Sequence, residues 1–310
     1  MVRHLLKVSD FSKAECEKVI NKAIEIKKNP KKFSTFLEGE TLLMLFEKPS
    51  LRTRISFETG MQQLGGHAIF YSIKDSPLGK KENISDTAKV ASRFVNIIAA
   101  RVFKRQDIWD LAKYADVPVI NMLDDFAHPC QILGDYQTIK EKLNHLDNMK
   151  LSYYGDAHNN VTYDLMRMSA MFGWKMDVAC PNAPEYSPEQ IVLDEISNLS
   201  NETGAEVKIV HNALEAARDS DVIYTDSWMS YGIPIEQEEE RKKAFIPFQV
   251  SSSIMKAAKS DAIFMNCLPA MREYEQTAEI IDGPQSIVFD QAENRLHIQK
   301  AIMLFLRDKF

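Results

Sequence analysis

Residues 47–54 read Glu47-Lys48-Pro49-Ser50-Leu51-Arg52-Thr53-Arg54 and collect hydroxyl and guanidinium donors behind a proline. Pro49 favours an extended residue before it. Ser50 can cap a helix that starts near Leu51. A helix start exposes backbone N–H groups and a partial positive charge, which suits a phosphate. Ser50, Arg52 and Thr53 add donors at the same spot, and arginine can fork two hydrogen bonds onto phosphate oxygens. An ordinary capped helix with solvated arginines would use the same residues. The segment is not a Gly-rich Walker loop, so triphosphate binding by that route is unsupported. Further on, His128-Pro129-Cys130-Gln131 places two side chains able to donate at one helix start. A lone histidine there is more often structural; the histidine and glutamine together suit one ligand oxygen better. Arg101 and Arg295 can add guanidiniums. Arg295 could equally be a surface cation paired with Glu293 or Asp290. Several such groups on separate strand ends point to one anion pocket.

These residues need elements to carry them, and the pattern supplies strands alternating with helices. Thr41–Phe46 reads as a buried strand, followed by helical spacing over 52–64. Strands are predicted at 68–71, 97–102 and 117–121, with helices at 85–94, 106–114 and 129–143. A polar stretch at 144–148 marks the expected domain boundary. Beyond it, strands are predicted at 150–154, 175–179, 207–210, 222–225, 262–265 and 286–289, with helices at 161–172 and 188–203. Residues 236–243 read as a solvated charged helix face. A final helix over 292–310 has Leu296, Ile302 and Phe305 as apolar anchors. This alternation predicts an α/β fold with parallel sheets flanked by helices, whose ligands bind at the carboxyl ends of strands.

Five motifs stand together in one order: Ser50-Leu51-Arg52-Thr53-Arg54, His128-Pro129-Cys130-Gln131, Asp226-Ser227-Trp228-Met229-Ser230, Cys267-Leu268-Pro269 and Glu293-Asn294-Arg295. In this the chain resembles the ornithine carbamoyltransferases, over roughly residues 2–308. The wider superfamily includes aspartate carbamoyltransferase. The resemblance implies two doubly wound domains. One, residues 1–145 completed by a C-terminal helix at 291–310, would bind carbamoyl phosphate. The other, residues 146–290, would bind the amine. It also implies a homotrimer with sites at subunit interfaces. Ser50, Leu51 through its backbone, Arg52 and Thr53 would hold the phosphate. Arg101, His128 and Gln131 would orient the carbamoyl end, and Arg295 with a carbonyl of Cys267 or Leu268 would complete that pocket. Asn160, Asp226, Ser230 and Tyr231 would bind ornithine. Arg101, His128, Asp226 and Cys267 would be the catalytic set. Cys267 has two readings: a small residue at a strand end, or a thiol that contacts the amine and Asp226 and tunes proton removal.

The implied reaction is attack of a neutral amine on the carbonyl carbon of carbamoyl phosphate, with loss of phosphate. It yields citrulline in arginine metabolism and implies no metal or organic cofactor. Some positions depart from the family pattern. Leu51 stands where a threonine is common, Asn266 where a histidine is usual, and Tyr231 where a methionine is usual. Pro77 occupies a position at which many members insert a side chain into a neighbouring subunit. Lys81, with Lys80 beside it, could play that part instead; a solvated loop is the alternative. The departures leave putrescine or an acylated ornithine open as the amine. Asp226 would repel the side-chain carboxylate of aspartate. Gly155-Asp156-Ala157-His158-Asn159-Asn160 lacks GxGxxG, so a dinucleotide fold is poorly supported. A non-catalytic relative that only binds carbamoyl phosphate is a further alternative, against which the retained basic residues argue.

Composition fits this reading. The chain has 310 residues, enough for two domains. Its net charge of −6 argues against nucleic acid or an anionic membrane as partner. No apolar run predicts a spanning helix, and residues 1–10 lack a secretory signal's apolar stretch. Cys16, Cys130, Cys180 and Cys267 form no disulfide-like framework, which fits a reducing cytoplasm.

Overall fold

The computed structural model describes residues 2–73, 82–143, 146–230 and 232–310. Pro77, Lys80, Lys81 and Tyr231 lie outside these residues, as does part of the expected boundary, Asn144 and His145. The chain divides into two compact units, Met1–Ile139 with Glu293–Phe310, and Lys140–Ala292.

In the first unit, α1 (Lys13–Lys28) opens with a capping box: the Ser12 hydroxyl accepts from the Glu15 N–H while the Glu15 carboxylate accepts from the Ser12 N–H. Cys16, Val19, Ile20, Ala23 and Ile26 turn its apolar stripe inward. The sequence reading passes over this helix, although that spacing signals it. The unit continues through β1 (Thr41–Phe46), α2 (Leu51–Gln63), β2 (His67–Ser72), α3 (Ile84–Ala91), β3 (Ile97–Arg101), α4 (Arg105–Tyr114), β4 (Val119–Leu123) and α5 (Pro129–Lys142). Its sheet is wholly parallel with order β2-β1-β3-β4. The order reverses between β1 and β3, where such sheets leave a crevice at the carboxyl edge. Register pairs Phe46 with Arg101. The turn after β1 and the side chain ending β3 therefore emerge side by side.

The second unit runs β5 (Lys150–Tyr154), α6 (Asn160–Phe172), β6 (Lys175–Ala179), α7 (Gln190–Thr203), β7 (Glu206–Val210), α8 (Ala213–Ala217), β8 (Val222–Thr225), α9 (Glu238–Phe245), α10 (Ser252–Ala257), β9 (Ile263–Asn266) and α11 (Ala278–Ile281). Its parallel sheet has order β7-β6-β5-β8-β9, with the reversal between β5 and β8. Tyr154 pairs with Thr225, and Thr225 with Asn266. One step past that row, Gly155, Asp226 and Cys267 leave three adjacent strands together. Helix α12 (Val288–Leu306) begins among the second unit's residues, and from Glu293 onward belongs to the first.

The expected α/β architecture of parallel sheets flanked by helices is present, with α12 packing back on the first unit. Most boundaries agree to a residue or two, the usual fraying of element ends. The fourth strand starts at Val119 rather than 117, because Pro118 has no N–H to give the ladder. The strand expected at 286–289 is a correction: only Ser286 bridges to Phe264, and Val288 already opens α12. A short apolar run cannot by itself tell a strand from a buried helix end. The solvated face expected at 236–243 holds for Glu239 and Glu240 but not for Arg241, which is turned inward and buried.

Candidate active site

The first cluster is built on the turn after β1. Ser50 caps α2, accepting from the Thr53 N–H at 3.3 Å, and its hydroxyl donates to Thr53 Oγ1 at 3.0 Å. Thr53 is buried, while Leu51 beside it is 69% exposed. Arg295 enters from α12 and is itself buried. Its guanidinium donates to Gln131 Oε1 and, at 3.4 Å, to Thr53 Oγ1. Gln131 in turn donates to Asp135 at 2.7 Å. Gly134 permits this approach: a Cβ there would meet Ile298 at 3.3 Å and the Arg295 side chain at 3.6 Å. Asp124 accepts the Phe126 and Ala127 N–H groups, both at 2.7 Å, and so shapes the turn that delivers His128.

His128 and Arg101 are both buried. Burial, then the charges of Arg295, Arg101 and Lys48, holds the His128 imidazole well below its ordinary range. At neutral pH it is an uncharged ring that can donate to a ligand oxygen from one nitrogen. Lys48 is a member of this cluster that the motifs do not reveal. It is 4% exposed, and its ammonium lies 4.6 Å from the centre of the Phe103 ring. Burial first, and Arg101 second, push it down to about 8. Asp124, Asp125 and Glu47 act in the opposite direction, and an anion bound among these cations would offset their repulsion further. The only sequence signal for Lys48 is its place immediately before Pro49. Arg52 is half-buried in the first turn of α2.

The second cluster stands on β5, β8 and β9. Asn159 caps α6 through the Val161 N–H at 2.7 Å, and its amide donates to Asp226 Oδ2 at 3.1 Å. The Cys267 thiol donates to Asp226 Oδ1 at 3.1 Å. Burial raises the Asp226 carboxyl above its ordinary value, while the donors from Cys267, Ser227 and Asn159 work against that rise. The Asn266 side chain, in the position of the usual histidine, is fully engaged. Its oxygen accepts from the Leu268 N–H at 2.8 Å and its amide donates to Gln276 at 3.0 Å. The substitution therefore keeps the Cys267-Leu268 turn braced. Ser230 is half-buried, with its hydroxyl 3.4 Å from the Ser227 carbonyl, and Asn160 opens α6. Asn159, the neighbour of the expected Asn160, makes a hydrogen bond to Asp226. Two adjacent asparagines at a strand-to-helix turn were the available signal. Among the described residues, no group of three His, Cys, Asp or Glu side chains is placed to hold a metal ion. No described helix is long and apolar enough to cross a membrane.

One cluster suits a phosphorylated donor and the other suits an amino-acid ammonium, the equipment of a group-transfer enzyme. The chain belongs to the aspartate/ornithine carbamoyltransferase family: its carbamoyl-P binding domain matches residues 3–141, and its Asp/Orn binding domain matches residues 147–306. Similar proteins include several named as ornithine carbamoyltransferases. An ornithine carbamoyltransferase of Thermococcus kodakarensis is 48% identical over 303 residues, 97% of this chain and 95% of that protein. The solved ornithine carbamoyltransferase of Pyrococcus furiosus is 46% identical with a TM-score of 0.92, covering 97% of this chain and 96% of that one. The ornithine transcarbamoylase structure from Giardia lamblia is 43% identical with a TM-score of 0.91, covering 99% of each chain.

Proposed function

We propose that this chain transfers the carbamoyl group of carbamoyl phosphate to the side-chain amine of L-ornithine, giving L-citrulline and phosphate. The observation that carries the reading is the second cluster, in which a buried carboxylate, Asp226, is aligned by the Cys267 thiol and the Asn159 amide. A carboxylate there attracts an ammonium and opposes the second carboxylate of aspartate. The names of the relatives and the two matching domain models support the same substrates.

Ser50, the backbone of Leu51, Arg52 and Thr53 bind the phosphate, with Arg295 beside Thr53. Arg101, His128 and Gln131 donate to the carbamoyl oxygen. Attack by the amine turns that oxygen into an oxyanion, and donors already in place stabilise it without reorganising. The guanidiniums and Lys48 stabilise the charge on the departing phosphate. The attacking amine must first lose a proton, since a free alkyl ammonium has a pKa of roughly 10.4. Desolvation lowers that value, so the proton passes to solvent as the amine settles against Cys267 and Asp226. Asn160, Ser230 and Tyr231 complete the ornithine set. Much of the acceleration comes from holding the two reactants together.

The chain acts in the cytoplasm as a homotrimer. The apolar side chains Ile69 and Tyr71, on the edge strand β2, and Leu51 and Ile55 on α2 are exposed and suit contact with another subunit. Light scattering should give three times the chain mass. Lys81 is proposed to reach a neighbouring subunit's carbamoyl phosphate. Lys81→Ala is expected to raise KM for carbamoyl phosphate by about tenfold, the loss of one charged hydrogen bond; an unchanged KM would remove Lys81 from the site.

The first assay supplies purified protein with carbamoyl phosphate and, separately, L-ornithine, putrescine, N-acetyl-L-ornithine and L-aspartate. Citrulline from ornithine alone is expected. A preference for another amine would retain the phosphate cluster and reassign the Asp226 loop. No product from any amine would overturn the reading in favour of a carbamoyl phosphate-binding protein.

A further inference from the structure

Glu275 is 1% exposed and belongs to none of the motifs that mark the site. Its two carboxylate oxygens serve two different turns. One accepts from the Trp228 N–H at 3.3 Å, two residues past Asp226. The other accepts from the Met271 N–H at 3.0 Å, four residues past Cys267. The opposite face of the Trp228 peptide is also held, since Arg241 Nε donates to its carbonyl at 2.7 Å and the same guanidinium pairs with Asp156. Asp156 accepts from the His158 N–H at 2.9 Å, in the turn that presents Asn159. The Met271 peptide is gripped in the same way: its carbonyl accepts from Gln276 at 3.1 Å, and Gln276 also accepts from the Asn266 amide.

We infer that Glu275 is a positioning residue for the amine-binding cluster: by bracing the turns after β8 and β9 with one carboxylate, it sets the Asp226 carboxylate opposite the Cys267 thiol. The inference rests on the carbamoyl transfer proposed above and deepens it. Two N–H donors converge on this side chain, so both of its oxygens must accept. A carboxylate meets that need. A glutamine would offer one carbonyl oxygen and turn an NH2 group toward the other donor. Burial, together with the nearby charge of Asp226, pushes the Glu275 carboxyl up to about 7. The Met271 and Trp228 N–H groups oppose that rise and favour the carboxylate, the form that accepts on both oxygens and so fixes the separation of the two turns. The effect acts through Asp226 and Cys267, so it falls on ornithine and spares carbamoyl phosphate.

The test compares Glu275→Gln and Glu275→Ala with the parent, each substrate varied in turn. Glu275→Gln keeps the volume and one acceptor. We expect its KM for ornithine to rise by about tenfold, the loss of one charged hydrogen bond, with KM for carbamoyl phosphate unchanged within about twofold and the melting temperature close to the parent's. Glu275→Ala should go further in the same direction; should it fail to fold, the glutamine variant alone decides. A second readout needs no turnover. Of the four cysteines, only Cys267 is not buried, so alkylation of the folded protein reports on that thiol. Loss of its bond to Asp226 should raise the alkylation rate about tenfold. Equal shifts in both KM values, or a fall in kcat alone, would show a merely structural role and overturn the inference. So would an ornithine KM and alkylation rate in folded Glu275→Gln that match the parent's. If the parent itself makes no citrulline, the carbamoyl transfer reading fails, and the alkylation rates still decide whether Glu275 sets the Cys267–Asp226 contact.

Discussion

Arg295→Ala is expected to lower kcat/KM for carbamoyl phosphate by between about a hundredfold and about a thousandfold, the range for losing one preorganised donor to a developing charge. Arg295 is 3% exposed, and its partners Gln131 and Thr53 are neutral. Its guanidinium thus stands beside the Ser50–Thr53 turn, where a phosphate would meet it. Truncation removes that charge and leaves Gln131 and Thr53 without this donor, so the protein should also lose about 1–3 kcal/mol of stability. Arg295→Lys separates the two effects. It keeps the charge and loses the fork, and its kcat/KM should lie between the parent and the alanine variant. Steady-state kinetics with ornithine saturating, alongside thermal melting, checks both parts. A kcat/KM for Arg295→Ala within a few fold of the parent would show that the guanidinium only packs.

Asp226→Asn should act on the other substrate. The carboxylate is buried and accepts from the Cys267 thiol and the Asn159 amide. A charge-assisted hydrogen bond contributes about 1.5–3 kcal/mol, so KM for ornithine should rise between about tenfold and about 150-fold while KM for carbamoyl phosphate holds. The pH dependence has a definite sign. Burial raises the Asp226 carboxyl above its ordinary value, so as pH falls the acceptor is lost earlier than at an exposed aspartate. In the parent, KM for ornithine should climb on the acid side. In Asp226→Asn that limb should be shallower, because an amide has no proton to gain there and only the protonation of the substrate amine remains. The same limb in both proteins would assign it to a different group. The sign for stability is separate. A carboxyl whose folded value is raised contributes stability that is present below its unfolded value and lost as pH rises through the folded one. Asp226 is thus kept at some cost to the fold at neutral pH.

The fold was largely legible because its strands are short apolar runs that alternate with helical spacing, and the pairing order of a parallel sheet follows from few rules. The phosphate-side candidates were legible for a related reason. Ser50, Arg101 and His128 sit beside strand ends or helix starts, where local sequence declares a turn. Lys48, Asn159 and Glu275 were not. Lys48 is an ordinary lysine until the first sheet buries it beside Arg101. Asn159 is one of two neighbouring asparagines, and only the start of α6 shows that it caps the helix and turns its amide to Asp226. Glu275 lies in a charged stretch, and its role depends on the Trp228 N–H, brought to it from 47 residues away, as well as on the nearby Met271 N–H. Arg241 misleads in the same way, for its neighbours Glu239 and Glu240 are exposed. Sequence periodicity reports which face of an element is apolar. It carries no record of which charged residue a distant turn will enclose.

Helix α12 has a consequence for the order in which the protein can be made. The second unit is one unbroken stretch, Lys140–Ala292, whereas the first needs Glu293–Phe310 as well. Those later residues bring Ile298, Ile302, Leu304 and Phe305 into the buried interior, along with Arg295. Domains generally form as units while the chain emerges during synthesis. Here the part translated first must wait, its interior unfilled, until the part translated second has already been delivered. A chain interrupted between residues 267 and 293 would carry Asp226 and Cys267, yet it would have no Arg295 to meet a phosphate. The binding of the donor thereby depends on synthesis having passed residue 295.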